Sequence, residues 1–323
     1  MRCVGRRAAF LLFIVMAGAC RSTGDLRLPP SLEPFARDGA AAVEVHDVAW
    51  KDSARNVVIR ARIYSPADTS AHALVLFSHG LGNSRFGYSY LGRHWASWGI
   101  ISVHIEHPGA GEDLARRGFV AVYRAGFDPR LDVSTVRDAH FVIDELTGRD
   151  VPGFLRGRVR ADAIGVAGHS LGAYVALATA GAIRFLPIDP ALTLRDRRVR
   201  AAVALSMSEN LPSDVYGQTE VPILHFTGTS DSSFFYGTTK RMRRIPFEHT
   251  SGGVAWLVTL RGANHSTFSA DDRSATPVRI DAIKALTLLW WKAWLEGDDS
   301  ARKLLGSPAI GDQLRAIGTL ERR

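Results

Sequence analysis

The chain has 323 residues, 46% of them apolar, 22% charged and 9% aromatic, which excludes a disordered or low-complexity protein and leaves ample material for a buried core. Its formal net charge is +8, but Arg2, Arg6 and Arg7 fall in a leader-like segment. The densest remaining basic runs, Arg195–Arg200 and Lys240–Arg244, carry no interleaved aromatic residue, so they read as solvated faces and predict no nucleic-acid partner.

In chain order, "MRCVGRRAAFLLFIVMAGAC" opens with a basic stretch, continues with apolar or small residues from Ala8 to Ala19, and ends at Cys20. The apolar run is too short for a bilayer span, which needs ~20 residues, and fits the core of a signal peptide. "AGAC" resembles the bacterial lipoprotein processing box, which predicts residues 1–20 as a removed leader and Cys20 as the lipidated first residue; Ala17, where that box prefers leucine, leaves ordinary signal cleavage to a periplasmic protein as the alternative. Cys3 and Cys20 are the only cysteines, so from Arg21 onward a disulfide, a thiol nucleophile and a zinc–thiolate site are all excluded. Residues 21–41, with their prolines, glycine and small polar residues, predict an extended tether. A membrane then enters only as the place of the lipid anchor.

Residues 42–323 predict one catalytic domain. Val43–Trp50 and Asn56–Tyr64 read as an antiparallel pair of strands, and Ala73–Ser78 and Ile100–Ile105 as buried strands with a helix over Tyr88–Trp98 between them. A helix follows over Leu131–Leu146, then a strand at Ala163–Gly168 and a helix at Leu171–Gly181. Val199–Ser206, Pro222–Gly228 and Ala255–Leu260 are further strands, and Ile280–Leu295 is an amphipathic helix whose Trp290, Trp291 and Trp294 predict core packing. Buried strands alternating with helices mean an α/β fold: a mostly parallel central sheet with helices on both faces. Pro108–Arg130 is long for a connection in such a fold and predicts a pocket wall or lid.

In an open α/β sheet, reactive groups gather where strand C-terminal ends meet loops. Gly168-His169-Ser170-Leu171-Gly172 is G-x-S-x-G between a strand and a helix, a sharp turn that presents a nucleophile. Its plainer reading is a helix cap. A serine hydroxyl attacks only when a base takes its proton and a third group orients that base. His265, in the loop after the last predicted strand, and Asp231, after the strand before it, supply those groups in the order Ser, Asp, His of α/β-hydrolases. Glu209 is an alternative acid, since it follows the neighbouring strand. Backbone N–H groups of Leu171 and of Leu81, in "HGLG", are the expected donors to an oxyanion. His79 and His169 flank the site and are expected to shape it. "HIEHPGAG" (His104–Gly111) lacks further ligand-spaced residues and a dinucleotide fingerprint, so neither a metal nor another cofactor is expected.

"LVLFSHGLGNSRFGYSYLGRHWASWGIISVHIEHPGAG", "GVAGHSLGAYVALA" and "GANHSTF" together resemble bacterial α/β-hydrolases related to platelet-activating-factor acetylhydrolase, of the dienelactone-hydrolase-like kind, over roughly Leu74 to Leu295. The resemblance implies an α/β-hydrolase fold and a serine carboxylesterase, with Ser170 as nucleophile, His265 as base and Leu81 and Leu171 as oxyanion donors. The chain departs from it twice. Dienelactone hydrolases use a cysteine nucleophile, and the acetylhydrolase places its acid after the strand that follows the nucleophile helix, where this chain reads "LSMSEN". The expectation is therefore an exported serine hydrolase acting on small-molecule esters, short-acyl or lipid-like. Acyl transfer or amide hydrolysis on the same acyl-enzyme, or a silent hydrolase fold used for binding, are the alternatives.

Overall fold

The computed structural model describes residues 26–148, 151–186, 188–207, 211–233 and 236–323. The chain enters through a short helix α1 (Glu33–Ala36) and the strands β1 (Val43–Asp52), β2 (Val57–Pro66) and β3 (His72–Ser78). Helix α2 (Ser89–Ser97), strand β4 (Ile101–Glu106) and helices α3 (Glu112–Arg116), α4 (Phe119–Ala125) and α5 (Pro129–Thr147) follow. Next come β5 (Val159–His169), α6 (Leu171–Thr179), β6 (Val199–Leu205), β7 (Ile223–Gly228), α7 (Ile245–His249) and β8 (Ala255–Leu260). Helices α8 (Pro277–Trp294), α9 (Asp299–Gly306) and α10 (Pro308–Leu314) lead to a final strand β9 (Gly318–Arg322).

The strands form one sheet in the order β1-β2-β4-β3-β5-β6-β7-β8-β9. β1 and β2 are antiparallel, β2 meets β4 antiparallel, and β9 closes antiparallel on β8, while β4 through β8 run parallel. The alternation along β3 shows why both faces are covered. Leu74 and Leu76 join the apolar cluster of α5 and α6, whereas Ala73, Val75 and Phe77 join that of α2 and α8, the period-two geometry of a strand buried on two sides. Trp290 and Trp291 are fully buried, with Trp291 edge-on to Trp95 at 5.7 Å; the tryptophan cluster is core. Among the described residues no helix is long and apolar enough to cross a membrane.

Two stretches differ from the sequence reading. Residues 26–41 are not an extended tether: Leu28, Leu32 and Ala36 are buried in the same cluster as α8, because three apolar side chains near helical spacing outweigh the prolines once a greasy helix face is available. Beyond Leu295 the chain adds α9, α10 and β9. The last is a short edge strand whose Glu321 and Arg322 hide its sheet character. Residues 1–25, with Cys20, and Glu209 lie outside the described residues.

Candidate active site

The parallel register sets the C-terminal ends of β3 and β5 side by side, with Ser78 opposite Gly168. The chain then turns straight from β5 into α6 at Ser170, whose φ of 57° and ψ of −117° are strained for a non-glycine residue. The flanking glycines are demanded by space: a Cβ on Gly168 would meet the Gly172 carbonyl at 2.1 Å, and one on Gly172 would meet the Ser78 carbonyl at 1.9 Å. Ser170 occupies the N-cap position of α6 but makes no side-chain cap hydrogen bond. Its Oγ lies 3.0 Å from His265 Nε2 instead, so the cap reading fails.

His265 and Asp231 arrive as the sequence places them, from the loops after β8 and β7. Asp231 is fully buried, and its Oδ2 accepts from Thr227 Oγ1 at 2.9 Å. Its Oδ1 stands 3.5 Å from His265 Nδ1, long for a hydrogen bond. The short partner of Nδ1 is the hydroxyl of Ser206, at 2.7 Å. Ser206 ends the strand run at β6, fully buried and with φ at 47°. Arg243 approaches the same oxygen, with Nε 3.1 Å from Oδ1 and a hydrogen bond from its guanidinium to the Met207 carbonyl at 2.6 Å. Burial alone would raise the Asp231 carboxyl. The His265 contact and the Arg243 charge, with help from Ser206, overcome it and hold the group at about 2. Burial also lowers His265 below the ordinary histidine value, Asp231 opposes this, and Arg243 adds to it. The imidazole is thus neutral near pH 7, with 29% of its side chain exposed toward the cavity over Ser170.

A serine hydroxyl in reach of a histidine on a strand-to-helix turn, in a sheet of this order, points to one group of proteins, and a model of the alpha/beta hydrolase family matches residues 75–320. The chain belongs to the alpha/beta hydrolase family. It is a hydrolase-fold enzyme, and no curated protein matches it in the comparison made.

In this hydrolase the loop with Leu81 is pinned by histidines. His169 Nε2 lies 3.0 Å from the His265 carbonyl, which can only accept, so Nε2 carries the proton. Nδ1 then accepts from the Tyr88 hydroxyl at 2.7 Å, and that hydroxyl in turn accepts from the Gly80 N–H at 3.3 Å. One buried imidazole, kept neutral by desolvation first and by His265 second, therefore ties the His265 loop to the Leu81 loop. His79 does the same for the next loop: Nδ1 donates to the Gly80 carbonyl at 2.8 Å and Nε2 accepts from the His107 N–H at 3.2 Å. Leu81 and Leu171 line the cavity beside Ser170, and among the described residues neither N–H donates to a carbonyl. His104 and His107 turn inward, His104 onto Phe77 and His107 Nδ1 to Asp138 at 3.0 Å.

Sequence reasoning missed two residues. Arg243 lies in the run Lys240–Arg244 that reads as a solvated face, yet it is 4% exposed and paired to Asp231. Ser206 stands at the end of a strand run and carries no motif. The signal for it was positional: parallel strand ends in this fold point at the site, and a hydroxyl there is within reach of the base.

Proposed function

We propose that the enzyme hydrolyses carboxylic esters through an acyl-enzyme on Ser170, and that it works as an exported, lipid-anchored protein. The observation that carries the chemistry is the 3.0 Å contact of Ser170 Oγ with a neutral His265 at a turn that makes no other use of the hydroxyl. His265 Nε2 takes the Ser170 proton as Oγ bonds to the ester carbonyl carbon, and the carbonyl oxygen gains a negative charge. The N–H groups of Leu81 and Leu171 hold that charge; losing one such donor costs ~3–4 kcal/mol of transition-state stabilisation. The tetrahedral centre collapses, the C–O bond to the alcohol breaks, and the alcohol leaves with the proton from His265. Water, activated by the same imidazole, then releases the acid and restores Ser170. The open side of His265 toward the cavity supports water as the acceptor.

The orienting role falls to Asp231 together with Ser206. Nδ1–H donates to Ser206 Oγ at 2.7 Å, leaving that hydroxyl's own proton for the Asp231 carboxylate, which it stabilises. The resemblance to the platelet-activating-factor acetylhydrolase group belongs to this proposal too, with a serine rather than an acid ending β6. The test is labelling with a fluorophosphonate together with p-nitrophenyl ester hydrolysis. The wild type should label and turn over, and Ser170→Ala should fold and do neither. A Ser170→Ala protein that still labels overturns the assignment.

A further inference from the structure

The segment between β4 and α5 is the part of this fold with least reason to be where it is. None of the seven residues of α4 is buried, yet Phe119 is 62% exposed, Val120 59% and Phe127, just past its end, 57%. So much apolar surface on one short helix is not explained by folding, because it gains little from leaving water. The rings are ordered among themselves: Phe119 stacks on Tyr123 at 6.3 Å, and Tyr123 and Phe127 both pack on Tyr236, at 5.8 and 5.7 Å. Gly126 permits that approach, since a Cβ there would meet the Tyr236 ring at 2.6 Å. Phe119, Phe127 and Tyr236 of this strip line a cavity of about 470 Å³ that also takes in Ser170, a size ordinary for a small-molecule site.

Leu81, Val122, Leu131 and Leu171 also line the cavity. Asp128 at its rim is engaged as the N-cap of α5 and by the Arg130 guanidinium at 2.8–2.9 Å, so it does not mark a cation site. Leu81 and Leu171 carry the N–H groups assigned to the oxyanion, so a carbonyl carbon bonded to Ser170 sits at the bottom of this space. Once the alcohol has left, the acyl chain is the part of the substrate that remains to fill it.

We propose that this cavity is an acyl subsite, and that α4 with Phe127 and Tyr236 selects esters of unbranched, medium-length acyl groups over acetyl esters. The proposal rests on the serine-esterase reading above. Each methylene that leaves water for such a wall should raise kcat/KM about fourfold until the cavity is full.

The experiment compares p-nitrophenyl acetate, butyrate, hexanoate, octanoate and decanoate with wild type, Phe127→Ala and the double variant Phe119→Ala/Phe127→Ala, each normalised to fluorophosphonate-titrated sites. Both side chains are mostly in solvent, so the variants are expected to fold, and thermal denaturation checks it. The wild type should climb steeply from acetate to octanoate. The octanoate-to-acetate ratio of kcat/KM should fall at least tenfold in the double variant. A flat wild-type profile, or a double variant whose profile keeps the wild-type slope, overturns the subsite. Absence of labelling and of hydrolysis on every ester would instead remove the parent reading.

Discussion

At the scale of single residues, the sequence did not mark Ser206, which bonds His265 Nδ1, or Arg243, whose contact with His265 runs through Asp231. If the Ser206 hydroxyl carries the hydrogen bond from Nδ1, Ser206→Ala and Ser206→Gly should lose kcat to the same extent. Removing the partner of a buried donor costs about 1–3 kcal/mol, or roughly five- to 150-fold. Glycine, which accepts a positive φ, should recover thermal stability that alanine does not; a kcat that follows stability rather than the hydroxyl would refute the role. Arg243 makes a prediction with a sign. Only neutral His265 accepts the serine proton, so activity is lost as pH falls through its pKa, and the acid limb of kcat/KM reports that value. Arg243 lowers His265, so Arg243→Gln should move the acid limb to higher pH, measured per labelled active site. A limb that stays put or moves down would exclude the electrostatic coupling. The same change acts on Asp231. Its carboxyl, held at about 2 against an ordinary 3.8, contributes stability present above the ordinary value and lost as pH falls through about 2; without Arg243 the folded value moves up toward the ordinary one, so the contribution should be smaller and its loss complete at a higher pH. Ser170, His265 and Asp231 were legible because local sequence carries them, a glycine-framed turn and two loops after apolar strands. Arg243 was not, because burial of a charged side chain depends on a carboxylate twelve residues away in sequence and adjacent only in the fold.

At the scale of elements, the turn between β5 and α6 is set by backbone contact, and two glycines separate that effect from ordinary helix propensity. Gly172→Ala would press a methyl group against the Ser78 and His79 carbonyls, at 1.9 and 2.9 Å, in a place where strand and helix cannot part without moving the nucleophile. Overpacking of this kind costs typically 1–3 kcal/mol, and the upper end, about 3 kcal/mol, is expected. Gly311, inside α10, has nothing within 4 Å of an added Cβ, so Gly311→Ala should stabilise by about 0.5–1 kcal/mol. Chemical denaturation of the two variants checks both signs. The strands β1 to β8 could be read from the sequence because each is a short apolar or alternating run bounded by turn residues. The helices α3 and α4 could not, since five and seven residues give a periodicity too little length to show, and the region Pro108–Arg130 announced itself only by being longer than a connection needs. It proves to be a wall of the cavity, as that length suggested.

At the scale of the whole molecule, the layered α/β architecture could be read from the sequence, but its two ends could not. The C-terminal β9 adds an antiparallel edge, and the N-terminal residues from Leu28 onward are docked under α8. Anchoring by Cys20 predicts that wild-type protein fractionates with membranes and takes up labelled fatty acid, whereas Cys20→Ser does neither; equal, fully soluble and unlabelled pools of both would refute it. The docking of Leu28 then limits the freedom of the enzyme. On the proposed anchoring at Cys20, Arg21 to Arg27 is the whole stretch left before Leu28, the first buried residue among those described, and seven residues pulled straight span at most about 25 Å. An anchored enzyme on so short a leash would sweep only a thin shell of solution next to the bilayer. Its encounters would be set by which esters are concentrated in or against that surface, and lengthening the leash by inserted Gly-Ser repeats, rather than altering the active site, is what would let it reach esters dissolved farther away.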